Sequence, residues 1–100
     1  MAFARTDLGN SERFIRDHSR DARYIKKVKT WNVYDGSRWT EDPSENEIQN
    51  KAKMTVRSIP QEAIIDPSQK EEILRHAEKS ETLGRINAMV KSARSAPEIQ

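Results

Sequence analysis

Trp31-Asn32-Val33-Tyr34-Asp35-Gly36-Ser37-Arg38-Trp39 is the stretch whose reading decides the fold. An Asp-Gly dipeptide between two β-rich runs is a strong short-range signal for a tight turn, so these nine residues read as two strands of a hairpin. The chain has six aromatic residues and three of them lie here, which makes the hairpin its richest source of large apolar surface. Trp31 and Val33 alternate with Thr30, Asn32 and Tyr34 across the sheet. Trp31 and Trp39 are the residues expected to cover a helical core, since each brings a large apolar area; a base-stacking platform is the other use of such rings.

Outward from the hairpin, the spacing predicts helices. Arg23-Tyr24-Ile25-Lys26 is the candidate first strand, Lys29 to Tyr34 the second and Arg38 to Glu41 the short third. Asp42-Pro43 closes the meander, because proline cannot donate to the ladder. Before it, a helix opens at Thr6 or Asp7, which can accept from the free N–H groups of the first turn, and ends by Ser19 or Arg20. Leu8, Ser11, Ile15 and His18 share one face of it, with Phe14 beside them. Gly9 weakens this start and marks a place where another segment packs close. After the meander, Ser44 or Asn46 opens a helix with Ile48, Ala52, Thr55/Val56, Ile59 and Ala63 at helical spacing, out to about Ile64. Pro60 breaks its backbone ladder and predicts a kink or restart. Asp66-Pro67 begins the next helix, which carries Ile73, Leu74 and Ala77 and ends near Lys79. Ser80 or Thr82 caps the last, with Leu83, Ile86, Met89, Val90 and Ala93 on one stripe, and Ser95-Ala96-Pro97 ends it. The expected fold is α+β and mostly helical: about four helices and a small two- to three-stranded antiparallel meander after the first helix, in one domain over residues 1–100.

Only 34% of the residues are hydrophobic and 34% are charged, so the core must be assembled from narrow helix stripes and stability should be modest. The absence of cysteine excludes a disulfide framework and thiolate metal sites and fits a reducing compartment. The opening residues lack the apolar run of a signal peptide. No stretch approaches the roughly 20 apolar residues of a membrane span. These features predict a cytoplasmic protein with no membrane partner.

Catalytic constellations are missing. Gly9, Gly36 and Gly84 are the three glycines and none belongs to a phosphate-binding loop; no Gly-Lys-Ser/Thr is present. His18 and His76 have no partner at metal-ligand spacing, and no serine sits in a nucleophile motif. No catalytic residue, no cofactor and no metal is expected, and the chain is expected not to be an enzyme.

Charge is uneven although the net is only +2. Arg13, Arg16, Arg20, Arg23, Lys26, Lys27 and Lys29 stand against Asp17 and Asp21 alone, while Glu41 to Glu47 holds four acids and no cation. Cations neutralise phosphates and rings stack on bases, so these seven cations with Tyr24 form the candidate DNA contact, sequence-independent and salt-sensitive. The same run also reads as a solvated helix face followed by a solvated strand, with Arg13 and Arg16 pairing with Asp17, Glu12 or Asp21 at about 0.3–0.5 kcal/mol each.

Three blocks are Thr6-Asp7-Leu8-Gly9-Asn10-Ser11-Glu12-Arg13-Phe14, the hairpin itself, and Lys79-Ser80-Glu81-Thr82-Leu83-Gly84-Arg85-Ile86-Asn87-Ala88-Met89. In order and spacing they resemble the N-terminal helicase-associated domain of phage and plasmid primase–helicases, the domain shared with the poxvirus primase–helicase, from about Thr6 to Pro97. The resemblance implies a non-catalytic place between a primase-type module and a superfamily-three AAA+ motor in the replication of a mobile element. It also implies a role in DNA handling, in the hexamer's collar, or in both. Partners so implied are DNA, a neighbouring primase or helicase domain, and further copies of the chain in a full-length context. Without a Walker motif, and ending where the motor would begin, the chain reads as an excised domain or a separately encoded remnant that hydrolyses no ATP. Pro60 departs from the unbroken helix usual in that family. An alternative is a stand-alone interaction module or regulator that docks on a replication protein. Its surface would be Ile73, Leu74, Leu83, Ile86, Met89 and Val90, unless these form the domain's own core. Arg85 falls in the third block, with a packing salt bridge and a contact role equally open to it.

Overall fold

In a computed structural model that describes residues 3–100, helix α1 (Asp7–His18) leads into strands β1 (Ala22–Ile25), β2 (Thr30–Tyr34) and β3 (Trp39–Glu41). Helix α2 (Asn46–Ser58), a 3-10 turn (Ile59–Gln61) and the short α3 (Glu62–Ile65) follow. A second 3-10 turn (Pro67–Gln69) then precedes α4 (Lys70–Lys79) and α5 (Leu83–Ala93). The fold is α+β and mostly helical, and the three strands form an antiparallel meander in the order β1-β2-β3.

Local chemistry sets most boundaries. Thr6 caps α1: its Oγ1 accepts from Gly9 N at 3.0 Å, satisfying one of the free donors of the first turn. A Cβ at Gly9 would lie 2.0 Å from the Ala4 carbonyl oxygen, so the N-terminal segment does cross the helix there at a distance only glycine permits. At the far end, Thr82 caps α5 by accepting from Arg85 N at 3.3 Å. Pro60 falls in the 3-10 turn where α2 ends and α3 restarts. Helix α2 departs from expectation at its start. Neither Ser44 nor Asn46 caps it; the carboxylate of Asp42 accepts from Ile48 N at 2.9 Å, so the acid that closes the meander also opens the helix.

The inner sheet face carries Ala22, Tyr24, Trp31 and Val33 against the helices. Phe14 meets Trp31 edge-on at 5.9 Å, and Tyr24 meets it at 5.4 Å, an arrangement favoured by the ring quadrupoles. Ile48, Ala52 and Val56 of α2 and Ile86, Met89, Val90 and Ala93 of α5 complete the main core, with Ile99 behind. The chain end is tied in as well, since Tyr24 N donates to Ile99 O at 2.9 Å. A smaller cluster of Ile59, Ile73 and Ala77 holds α4 to the 3-10 turn.

Three apolar expectations are corrected. Leu8 is exposed, while α1 buries the expected Ser11, His18 and Phe14 and also Asn10 and Arg13. Most of the proposed docking stripe, Ile73, Ile86, Met89 and Val90, is core, and only Leu74 and Leu83 face solvent. Trp31 is fully buried but Trp39 is 45% exposed, so one tryptophan covers the core, not two.

Candidate nucleic-acid interface

The placement of Trp39 follows from strand register. Alternation puts Trp31 and Val33 inward, hence Asn32 and Tyr34 outward. Tyr34 pairs directly with Trp39 and Asn32 with Glu41, so β3 turns its tryptophan to the same outer face. On β1, Arg23 opposite Asn32 and Ile25 opposite Thr30 share that face. The outer face therefore presents two rings in contact, Tyr34 and Trp39 with centroids 5.5 Å apart, exposed at 36% and 45%. The Arg23 guanidinium reaches across β2 to lie 5.6 Å from the Trp39 ring centre, within cation–π range.

Both turns at the ends of this face carry cations. Lys26, Lys27 and Lys29 lie in the β1–β2 turn, where Lys29 adopts a positive φ of 55°. Arg38 ends the β2–β3 turn, whose geometry is set by Asp35. The Asp35 Oδ1 accepts from Ser37 N and Arg38 N, each at 2.9 Å, while Gly36 supplies the positive φ of 101°. These hydrogen bonds, led by the one from Arg38 N, hold the Asp35 carboxyl below its ordinary pKa. Arg20, at the end of α1, is exposed too. Among the described residues, Arg20, Lys26, Lys27, Lys29 and Arg38 make no side-chain hydrogen bond or ion pair. From residue 20 to 39 there are six cations against Asp21 and Asp35. The acidic run that follows is partly engaged elsewhere: Asp42 caps α2, and Glu45 pairs with Arg94 at 3.0 Å. Glu41 remains on the outer face.

The eight residues singled out from the sequence divide sharply. Arg20, Lys26, Lys27 and Lys29 are free surface cations. Arg23 is on the outer face but is also anchored, donating to the carbonyls of Ser19 and Ala22. Arg16 pairs with its neighbour Asp17 at 2.9 Å and stacks on Phe3 at 5.1 Å. Two others cannot touch a ligand. Tyr24 points inward at 8% exposure and packs on Trp31. Arg13 is 1% exposed; its Nε and Nη2 grip both Glu62 oxygens at 2.7 and 3.0 Å, and its remaining N–H groups donate to Ala4 O, Phe3 O and Asn10 Oδ1. The expected pairing of Arg13 with Glu12, Asp17 or Asp21 is thus replaced by a partner 49 positions away. Trp39, for which base stacking is the alternative to a place in the core, lies on this outer face with Tyr34, which pairs with it across the four-residue turn; Tyr34 and Arg38 are not among the residues singled out from the sequence.

Arg85 donates to Asp7 at 3.2 Å, an exposed pair joining the first and third sequence blocks. Among the described residues, no group of three or more His, Asp or Glu side chains converges as a metal site, and no helix is long and apolar enough to cross a membrane.

A family model described as D5 N terminal like matches residues 11–100. Neither the search of curated proteins nor that of solved structures finds a match.

Proposed function

We propose, since this chain belongs to the D5 N terminal like family, that it is a non-catalytic accessory domain of a mobile-element DNA primase–helicase, and that the outer sheet face contacts DNA. The family agrees with the resemblance carried by the three sequence blocks. The observation that carries the DNA reading is the partly exposed Tyr34–Trp39 pair with Arg23 stacked on it and free cations in both flanking turns. Exposed rings bind bases whose faces are free, so the ligand is single-stranded DNA, where duplex bases would be occupied by their neighbours. Stacking is worth about 1–3 kcal/mol per base and tolerates any sequence. The lysines neutralise phosphates, and the affinity they contribute falls with salt.

Fluorescence anisotropy with labelled single- and double-stranded DNA at two salt concentrations tests this. Binding that favours the single strand, weakens with salt and is lost when Lys26, Lys27 and Lys29 become glutamine supports the proposal. Absence of binding to either DNA at low salt overturns it.

A second reading has its own observation. Met54, Ile64 and Ile65 are exposed on α2 and α3, Ile65 at 86%, and exposed apolar residues gathered on neighbouring elements suit a protein partner. A neighbouring primase or helicase domain, or another copy of the chain, would dock there. Sedimentation with and without Ile65→Asp distinguishes self-association from a monomer awaiting its neighbour.

A further inference from the structure

A cleft gathers the N-terminal segment, α4 and the start of α5. Its cavity is about 290 Å³, and Arg5, Arg75, Lys79 and Arg85 line it with Glu72 as the one acid. Of the four cations, Arg85 is shared with Asp7 and Arg5 donates to the neutral Gln69 Oε1 at 3.3 Å. Arg75 and Lys79 have no ionic partner among the described residues. Even with Asp7 counted, positive charge is in excess.

The wall of the cleft is built from hydrogen-bonded polar groups, of which Asn10 and Ser80 are buried. His76 and Ser80 line it, and Asn10 lies behind them at 1% exposure. Asn10 Oδ1 receives Arg13 Nη1 at 3.0 Å and His76 Nε2 at 2.8 Å, while Asn10 Nδ2 donates to Ser80 Oγ at 2.9 Å. Ser80 Oγ in turn donates to His76 O at 2.7 Å. An arginine only donates, so the amide atom facing it is oxygen. That oxygen must then accept from His76, which places the neutral ring's proton on Nε2. The polar groups of the wall are thus paired with one another.

We propose that this cleft binds a phosphate group, with Arg75, Lys79 and Arg85 as its principal donors. Charge-assisted hydrogen bonds from several cations to one tetrahedral anion are the strong kind, and here the cations line a single cleft, while those on the outer sheet face are spread along turns. The site is separate from the Tyr34–Trp39 face and does not depend on its role. His76 supplies a reporter. Burial lowers its pKa most, and Arg13, Arg5 and Arg85 lower it further against Glu62; Arg75, Lys79 and Glu72 border the same space. An anion seated among them offsets that field, so the His76 titration midpoint moves upward.

The test is an NMR titration of the His76 ring with inorganic phosphate at constant ionic strength, with chloride as the control salt. The expected result is a saturable, phosphate-dependent rise of the His76 midpoint while His18 stays fixed. Replacing Arg75→Gln and Lys79→Gln together weakens the phosphate affinity about tenfold or more with an unchanged unfolding midpoint. A single-stranded oligonucleotide as the second titrant identifies the source: a matching His76 response assigns the site to the DNA backbone, and a response to inorganic phosphate alone assigns it to a free anion. No saturable response to phosphate, an equal response to chloride, or an unchanged response in the double variant overturns the proposal.

Discussion

Arg13→Ala should be among the most damaging single substitutions in this protein, although the residue sits in a run of surface cations. The native guanidinium makes five hydrogen bonds, two of them to Glu62 in bidentate geometry. Through them one side chain joins α1, α3 and the N-terminal segment. Removing it leaves the Glu62 carboxylate, 24% exposed, without its counter-ion, takes one of two donors from Asn10 Oδ1, which keeps His76 Nε2, and frees two carbonyls. Hydrogen bonds to charged groups contribute about 1.5–3 kcal/mol each, but a plain sum overshoots, because the carbonyls of Phe3 and Ala4 can rehydrate at the surface. Breaking a buried ion pair by deleting one partner costs about 3–5 kcal/mol, and the partial exposure of Glu62 places this case near the lower end, about 3 kcal/mol. In a domain of this size that lowers Tm by about 12–24 °C. Urea unfolding followed by the fluorescence of buried Trp31 measures it. Arg13→Lys should recover only part of the loss, because an ammonium cannot engage both carboxylate oxygens as the fork does, and Arg16→Ala on the exposed face should cost less than about 0.5 kcal/mol. A loss below about 1 kcal/mol for Arg13→Ala would refute the claim that this ion pair is structural.

The two tryptophans should behave oppositely. Trp31→Ala costs about 3–5 kcal/mol and Trp39→Ala under about 1 kcal/mol, with equal costs in denaturant melts counting against the assigned strand register. Gly9→Ala should destabilise by about 1–3 kcal/mol because its Cβ would overlap the Ala4 carbonyl, and a neutral result by thermal unfolding would show that the N-terminal segment does not pack there. Burial is the largest cause lowering the pKa of both His18 and His76 below the ordinary 6.5. The unfolded chain therefore takes up their protons first, so this contribution is fully present above pH 6.5 and is lost as pH falls through the folded values. Unfolding free energies at about pH 7.5 and about pH 5 should show that decline, and His18→Leu should flatten it.

Where local rules govern, the sequence was a good guide. The Asp-Gly turn, the Thr6 and Thr82 caps, the restart at Pro60 and the close approach at Gly9 each depend on residues a few positions apart, and each is found. The Arg13–Glu62 pair was invisible for the opposite reason, since helical spacing only reveals partners three or four positions away. Leu8 alone departs from the expected stripe of α1, since Ser11, His18 and Phe14 are buried and Ile15 packs on the core; what apolar periodicity could not show is that Asn10 and Arg13 are buried as well, satisfied by α3, α4 and the turn after α4. Tyr24 misled through strand phase: β1 starts at Ala22, one residue before the expected Arg23, and its inward set is Ala22 and Tyr24. Trp39 was within reach of the sequence, because a four-residue turn between paired ends puts Tyr34 and Trp39 on one face, opposite to Trp31. The surrounding lysines were legible as a charge excess, but which cations stay free depends on tertiary pairing.

The most direct measurement of the central claim uses the two indole N–H signals of the protein in NMR. On titration with a single-stranded oligothymidine of about 12 nucleotides, the exposed Trp39 signal should shift progressively and saturate, together with the amides of Tyr34 and the Lys26–Lys29 turn, while the signal of buried Trp31 stays in place. A Trp39 signal that does not move while the DNA demonstrably binds, or no response of either indole at low salt, would contradict the assignment of this face to DNA.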